Sequence, residues 1–217
     1  MGHPDRRAPA GGEGGAGNPV KPAREWVARW ASILIHPVMV MLVAAAVATG
    51  VGDPPPGRVW QALGLTLAAA AVVMIYGVRQ IRSGRWTHID ASQPHERSQF
   101  NRFASWVLLG LAAICAVAGA DRGVVVVIAL SGVIVLVGHV LRGQLKLSLH
   151  VAFAMFAACI AWPQAVAFAG LLAATVVVAW SRLVLRRHEA SDVLAGAATG
   201  LACGVVFQMV FQCAVSA

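Results

Sequence analysis

The chain has 217 residues, of which 59% are hydrophobic and only 12% are charged, and its mean hydropathy is +0.73. A soluble domain of this length rarely carries so few charges, whereas a protein that crosses a membrane several times usually has this composition. The composition therefore excludes an ordinary soluble domain and favours an integral membrane protein whose first partner is the lipid bilayer.

The first 30 residues differ from the rest of the chain, because glycine, proline and arginine dominate them. Such a segment cannot bury a hydrophobic core. We therefore predict a disordered basic arm over residues 1–30 and one membrane domain over residues 31–217. No apolar stretch follows Arg6 and Arg7 until about residue 31, which is unlike a cleavable signal peptide, so we expect the first span to be retained.

Seven apolar runs follow in the membrane domain. They cover residues 33–51, 60–78, 103–119, 124–141, 149–161, 166–185 and 193–215. Most approach the roughly 20 residues that a helix needs to cross the hydrocarbon core, and the fifth is shorter. Only helices satisfy their backbone groups in lipid without closing a barrel. The runs therefore predict an all-α, polytopic transmembrane helical bundle of about six to seven spans.

The last run contains a repeat of small residues, Gly196, Gly200 and Gly204. Glycine at every fourth position lets two membrane helices approach closely. Ordinary membrane-helix composition explains the repeat equally well, so both interpretations stand.

The segments between the runs fall on two sides if every run is a span. Lys and Arg number 15 on the side that holds residues 1–30, 79–102, 142–148 and 182–192, and 2 on the other side. Cytoplasmic loops carry such an excess of positive charge. We therefore expect the first side to face the cytoplasm, in a bacterial inner membrane. This excess of Lys and Arg on one side of the membrane accounts for the positive net charge of the chain. The charge therefore does not indicate a nucleic-acid partner, and we expect none.

The segment SRLVLRRHEASD, between the last two runs, is the most informative motif. Arg182 offers a planar set of donors suited to bidentate contacts with phosphate. His188 and Asp192 are four residues apart and share a face if the segment is helical. A carboxylate against one imidazole nitrogen fixes the tautomer and leaves the other nitrogen as a nucleophile or base. The motif therefore predicts a phosphate-handling site, and a basic membrane-edge loop with an incidental His is the alternative.

The spacing S-R-x5-H-x3-D in this segment resembles the third signature of the type 2 phosphatidic acid phosphatase superfamily, which includes the vanadium haloperoxidases and bacterial acid phosphatases. In that family the His attacks phosphorus to form a phosphohistidine, the Asp orients the His, and the Arg holds phosphate oxygens. The resemblance therefore implies these roles for His188, Asp192 and Arg182.

The segment RGQLKLSLH, residues 142–150, is similar to the second signature of that family, P-S-G-H. The resemblance implies that Ser148 binds phosphate and that His150 protonates the leaving group, for which an imidazole has a suitable pKa. Leu147 and Leu149 stand where the family has Pro and Gly. A His that is hydrogen-bonded at a helix edge is the alternative for His150.

The first signature of the family, K-x6-R-P, is missing. Arg97 is the best match to its Arg, but Asp90 stands in the place of the Lys and Ser98 in that of the Pro. Phosphoryl transfer builds negative charge that fixed cations must meet. We therefore predict that Arg97 holds phosphate oxygens and that Lys146 supplies the second cation.

The same loop also carries four potential metal ligands, His88, Asp90, His95 and Glu96. Their spacing fits no standard metal site, and a charged interfacial loop is the commoner explanation. We therefore expect no metal and no cofactor.

Together these observations predict a metal-independent phosphatase whose substrate is a membrane lipid phosphate or a polyprenyl mono- or diphosphate. A phosphotransferase that uses the same His is one alternative. A non-hydrolytic membrane protein is another, either a transporter or a bis-His haem carrier that pairs His139 with His36 or His150.

Overall fold

The computed structural model describes residues 23–49, 57–87 and 93–215, and the regular structure in these ranges is entirely helical. The α-helices described are α1 Ala23–Leu34, α2 Pro37–Thr49, α3 Arg58–Arg82, α4 Pro94–Val117, α5 Arg122–Val140, α6 Leu149–Ala161, α7 Ala165–Val184 and α8 Ala190–Val215. Among them, five are long and apolar enough to cross a membrane, or up to six if α1 and α2 form one broken span. The predicted all-α fold, with several helices apolar enough to cross a membrane, is confirmed. The upper end of the predicted count of six to seven spans is too high for the described residues, because the run 149–161 forms a helix too short to count as a span.

The short helix α6 forms the centre of the bundle. Its 13 residues extend about 20 Å, less than the roughly 30 Å of a hydrocarbon core. Ten of these residues are buried, because α2, α7 and α8 pack around the helix. A helix that is enclosed by its neighbours need not match the bilayer thickness, which is consistent with the shortness of this apolar run.

Helix α8 lies against α6 through its glycine repeat. A Cβ atom on Gly196 would stand 2.6 Å from the carbonyl oxygen of Ser148, and one on Gly200 would overlap the carbonyl oxygen of Ala152. Gly204 is equally close to α6. Glycine is therefore required for this approach, and the packing interpretation of the repeat is confirmed. We call this contact of α6 with Gly196, Gly200 and Gly204 of α8 the glycine seam. Because Ser148 precedes α6, the glycine seam also brings the start of α8 to the start of α6.

Helix α1 begins earlier than the sequence predicted. It starts at Ala23, so the prediction of a disordered arm over residues 1–30 is wrong for residues 23–30, and residues 1–22 lie outside the described ranges. The hydroxyl of Ser181 in α7 donates a hydrogen bond to the carbonyl oxygen of Ala28 at 2.7 Å, and both residues are fully buried. This tertiary contact docks α1, so Ser181 has a structural role in the motif that contains it.

The first predicted span is broken between α1 and α2, which are bent by 49°. His36 lies at the break and caps α2. Its carbonyl oxygen accepts the N–H of Val40 at 3.1 Å, and its ring Nδ1 accepts the N–H of Val38 at 3.3 Å. Pro37 occupies the first helical position, where its missing N–H costs no hydrogen bond. His36 and Pro37 therefore start α2 at the break, and the bond from Val38 holds the ring of His36 in place.

Candidate active site

His188 lies in the tight turn between α7 and α8. The N–H of Arg186 donates to the carbonyl oxygen of Leu183 at 3.0 Å, and the N–H of Arg187 donates to that of Arg182 at 3.1 Å. These two bonds form a Schellman motif, in which Arg186 adopts a left-handed φ of 51° where glycine is usual. The abrupt end of α7 leaves room for only a short connection before α8, and this turn carries His188.

The ring of His188 is held on one side by the backbone. Its Nδ1 lies 2.8 Å from the carbonyl oxygen of Lys146 and 3.5 Å from Oδ2 of Asp192. A carbonyl oxygen can only accept, so Nδ1 carries the proton and donates it. Nε2 is then the unprotonated nitrogen. The sequence assigned the fixing of the tautomer to Asp192, whereas the Lys146 carbonyl makes the closer contact.

Asp192 joins two segments that are distant in the sequence. Its Oδ1 accepts the N–H of Lys146 at 2.8 Å, and its Oδ2 accepts the N–H of Glu189 at 3.1 Å. The backbone oxygen of Asp192 accepts the N–H of Ser148 at 3.1 Å. Because Asp192 lies in the first turn of α8, its carboxylate also interacts favourably with the helix dipole. These bonds place both sequence motifs in one site.

Ser148 precedes α6 at the N-cap position but does not cap the helix through its side chain. A serine at this position usually accepts an N–H from the first turn of the helix. Here the residue is fully buried, and its hydroxyl has no hydrogen-bond partner among the described residues. The hydroxyl is therefore available to a ligand at the positive end of the α6 dipole, which is a favourable position for an anion.

Three cationic side chains from different elements, Arg182, Arg97 and Lys146, are close enough to interact electrostatically through Lys146. Arg182 ends α7 and is only 4% exposed, whereas Arg97 lies in the first turns of α4 and is partly buried. Arg97 interacts electrostatically with Asp192 and with Lys146, and Arg182 interacts with Lys146. The structure therefore brings together all three cations that the sequence assigned to phosphate binding.

Lys146 is engaged through both its side chain and its backbone. Its ammonium donates to the carbonyl oxygen of Arg187 at 2.8 Å, so it also supports the turn that carries His188. Burial lowers the pKa of Lys146, and the positive charge of Arg97 lowers it further. A phosphate-binding role for this ammonium remains a prediction.

His150 lies in the first turn of α6 and contacts a residue that the sequence did not assign to the site. Its ring meets that of His36 edge to face, with 5.2 Å between centroids and 87° between planes. Arg182 and His188 also interact with His150 electrostatically. In the sequence, His36 stood out only as a possible partner of His139 in the haem alternative, and its contact with His150 is visible only in the structure. The two histidines that the haem alternative would pair with His139 instead contact each other.

The start of α4 is fixed by Glu96, which is 1% exposed. Its Oε1 accepts the N–H of Thr87 at 2.7 Å and the hydroxyl of Thr87 at 3.1 Å, and its Oε2 accepts the N–H of Gln93 at 3.3 Å. The bond from Gln93 is one half of a capping box between Gln93 and Glu96, the residue before Arg97. Glu96 therefore anchors the turn that presents Arg97.

The metal interpretation of this loop involves residues that lie partly outside the described ranges. His88 and Asp90 fall in that part, and the carboxylate of Glu96 is occupied by the loop backbone. Within the described residues, no group of three His, Cys, Asp or Glu side chains is placed to hold a metal ion.

The protonation of His188 leads to a prediction about pH. Burial lowers its pKa to about 4, and the positive charge of Lys146 contributes, so the ring is neutral near pH 7 as a nucleophile must be. In the unfolded chain its pKa is about 6.5. The unfolded state therefore binds more protons between these values, and His188 makes the fold less stable as the pH falls through about 6.5 towards 4.

NMR titration of histidine-labelled protein in micelles, with His188 assigned from a His188→Asn variant, measures this pKa directly. We expect a midpoint near 4, and a higher midpoint in Lys146→Met because a positive neighbour is removed. A midpoint for His188 at its ordinary value would contradict the buried, neutral ring.

No protein-family model, curated protein or solved structure matches this chain. The functional interpretation therefore depends on the motifs and on the geometry of the site.

Proposed function

We propose that the protein is a metal-independent, integral-membrane phosphatase that hydrolyses a lipid phosphate or a polyprenyl mono- or diphosphate through a phosphohistidine at His188. The observation that carries the proposal is the position of neutral His188, whose Nδ1–H is bound to the Lys146 carbonyl, in the same site as the buried hydroxyl of Ser148. The resemblance of both motifs to the type 2 phosphatidic acid phosphatase superfamily supports the same chemistry.

In the first half of the reaction, Nε2 of His188 attacks phosphorus and the bond to the leaving oxygen breaks. A bound phosphate anion favours a second proton on the partly buried ring of His150. His150 donates this proton to the leaving oxygen, because an alkoxide departs poorly unless it is protonated. Positive charge develops on the ring of His188 as the N–P bond forms. The carboxylate of Asp192, 3.5 Å from Nδ1, stabilises this charge.

The phosphoryl oxygens are held by the cations. Arg182, Arg97 and Lys146 meet the negative charge that builds on these oxygens in the transition state, and Ser148 donates one further hydrogen bond. Because the charges are buried or partly buried, they act in a medium of lower dielectric constant than water. This positioning replaces the role that a metal ion has in other phosphatases.

The second half of the reaction releases phosphate. His150, now deprotonated, takes a proton from a water molecule, whose oxygen attacks the phosphorus of the phosphohistidine. The N–P bond breaks, inorganic phosphate leaves, and His188 and His150 return to their starting states. His150 thus serves first as the acid and then as the base, while His188 carries the phosphoryl group between the two steps.

The substrate class follows from the position of the site at one end of a bundle of apolar helices. A phosphate attached to an apolar chain can enter laterally from the bilayer, with its headgroup at the interface. Phosphatidic acid, phosphatidylglycerophosphate and polyprenyl mono- or diphosphates have this form. The distribution of Lys and Arg, 15 against 2, supports a cytoplasmic location of the site in a bacterial inner membrane.

The proposal is tested by assaying purified protein against these lipid phosphates with excess EDTA present. We expect phosphate release from at least one of them, at the same rate with and without the chelator. Ser148→Ala should retain the fold and lower the rate by about 100-fold to 1,000-fold, since one hydrogen bond to the transition state is lost. No release from any substrate, or loss of release on chelation, would contradict the proposal.

A further inference from the structure

We infer that His36 is a positioning residue for the general acid His150, a role that neither sequence motif assigns to it. The inference rests on the proposed function, because it concerns how the proton donor of that reaction is held. It starts from the edge-to-face contact of the two rings, whose centroids are 5.2 Å apart.

The ring of His36 is itself fixed before it meets His150. Its Nδ1 accepts the N–H of Val38 at 3.3 Å, so this nitrogen is unprotonated and the proton of the neutral ring lies on Nε2. The break between α1 and α2 determines where the ring lies, and α2 packs along α6. The ring of His36 is therefore held in one orientation against the first turn of α6, where His150 lies.

His150 needs such support because no acidic side chain is among the neighbours that act on it most strongly. The side chains with the largest electrostatic effects on it are Arg182, His36, His188 and Arg187, and none of these is a carboxylate. Catalytic imidazoles are commonly oriented by a carboxylate or a carbonyl oxygen. Here the edge-to-face contact restricts the rotation of the His150 ring, so that its proton points at the leaving oxygen.

The test separates this role from the capping role of His36. Asn is among the best N-cap residues, so His36→Asn keeps an acceptor for the N–H of Val38 but is too short to contact His150. His36→Ser has the same design and serves as a second variant. Both should retain the melting temperature of the wild type in detergent, within a few degrees.

The readout is the dependence on the leaving group. For a long-chain alkyl phosphate, whose leaving oxygen must be protonated, we expect His36→Asn to lower kcat by about 10-fold to 100-fold, below the full value of general acid catalysis. KM should change little. For a nitrophenyl phosphate, which leaves without a proton, kcat should change by less than about 3-fold.

A double-mutant cycle completes the test. If His36 acts through His150, then His36→Asn should lower the rate of a His150→Ala enzyme no further. Equal losses on the two substrates, or additive losses in the double variant, would overturn the inference while leaving the proposed function intact. A wild-type protein that releases phosphate from neither substrate would instead overturn the proposed function, and this inference with it.

Discussion

Replacing His188 by alanine is expected to lower phosphate release by about 10⁴-fold or more for every lipid phosphate that the wild type cleaves, because the nucleophile of the proposed covalent intermediate is removed. The fold should survive, since the change removes mainly one hydrogen bond to the Lys146 carbonyl, worth about 1 kcal/mol. Steady-state phosphate release and the melting temperature, measured on the same preparation, distinguish the two effects.

His95→Ala is the matched control for this variant. His95 is exposed in the first turn of α4 and has no role in the proposed reaction, so we expect wild-type rates. A His188→Ala protein that keeps the wild-type rate on any lipid phosphate would contradict the assignment of the nucleophile.

Replacing Gly200 by leucine is expected to prevent assembly of the bundle. A Cβ atom at this position overlaps the carbonyl oxygen of Ala152, and a backbone atom inside a helix cannot move away as a side chain can. The cost should therefore exceed the roughly 1–3 kcal/mol of ordinary overpacking. The site should be lost as well, because the same seam brings Ser148 to Asp192. Size-exclusion profile and thermal melting in detergent measure the effect.

Gly110→Leu provides the control, since a Cβ atom at Gly110 in α4 has no neighbour within 4 Å. Leucine is a good residue for an open membrane-helix position, so this variant should assemble and melt like the wild type. A Gly200→Leu protein that is as monodisperse and as stable as Gly110→Leu would show that α6 and α8 are not packed through the glycine seam.

The sequence predicted the later helices well because their apolar runs are long and are separated by polar residues. The predicted run 149–161 coincides with α6, and 166–185 differs from α7 by one residue at each end. The start of the chain was predicted less well. Residues 23–30 are polar enough to resemble a disordered arm, and their helix depends on docking against Ser181, a contact 153 residues away.

The chemistry of the site was predictable where it depends on local spacing. His188 and Asp192 are four residues apart and do come together, at 3.5 Å. The closer contact of His188, with the carbonyl oxygen of Lys146, involves a backbone atom 42 residues away. No side-chain pattern encodes such a contact. The position of His36 was missed for the same reason, since it depends on how α2 packs along α6.

The most direct test of the proposed function is rapid quenching of the enzyme during turnover of a lipid phosphate that carries a radiolabelled phosphoryl group. The expected result is a label that is labile to acid and stable to alkali, on the peptide that contains His188. It should be absent in His188→Ala. It should accumulate in His150→Ala when the labelled substrate is a nitrophenyl phosphate, whose leaving group departs without a proton while hydrolysis of the intermediate still lacks its base. Turnover without any labelled protein, or with the label on another residue, would contradict a phosphohistidine mechanism at His188.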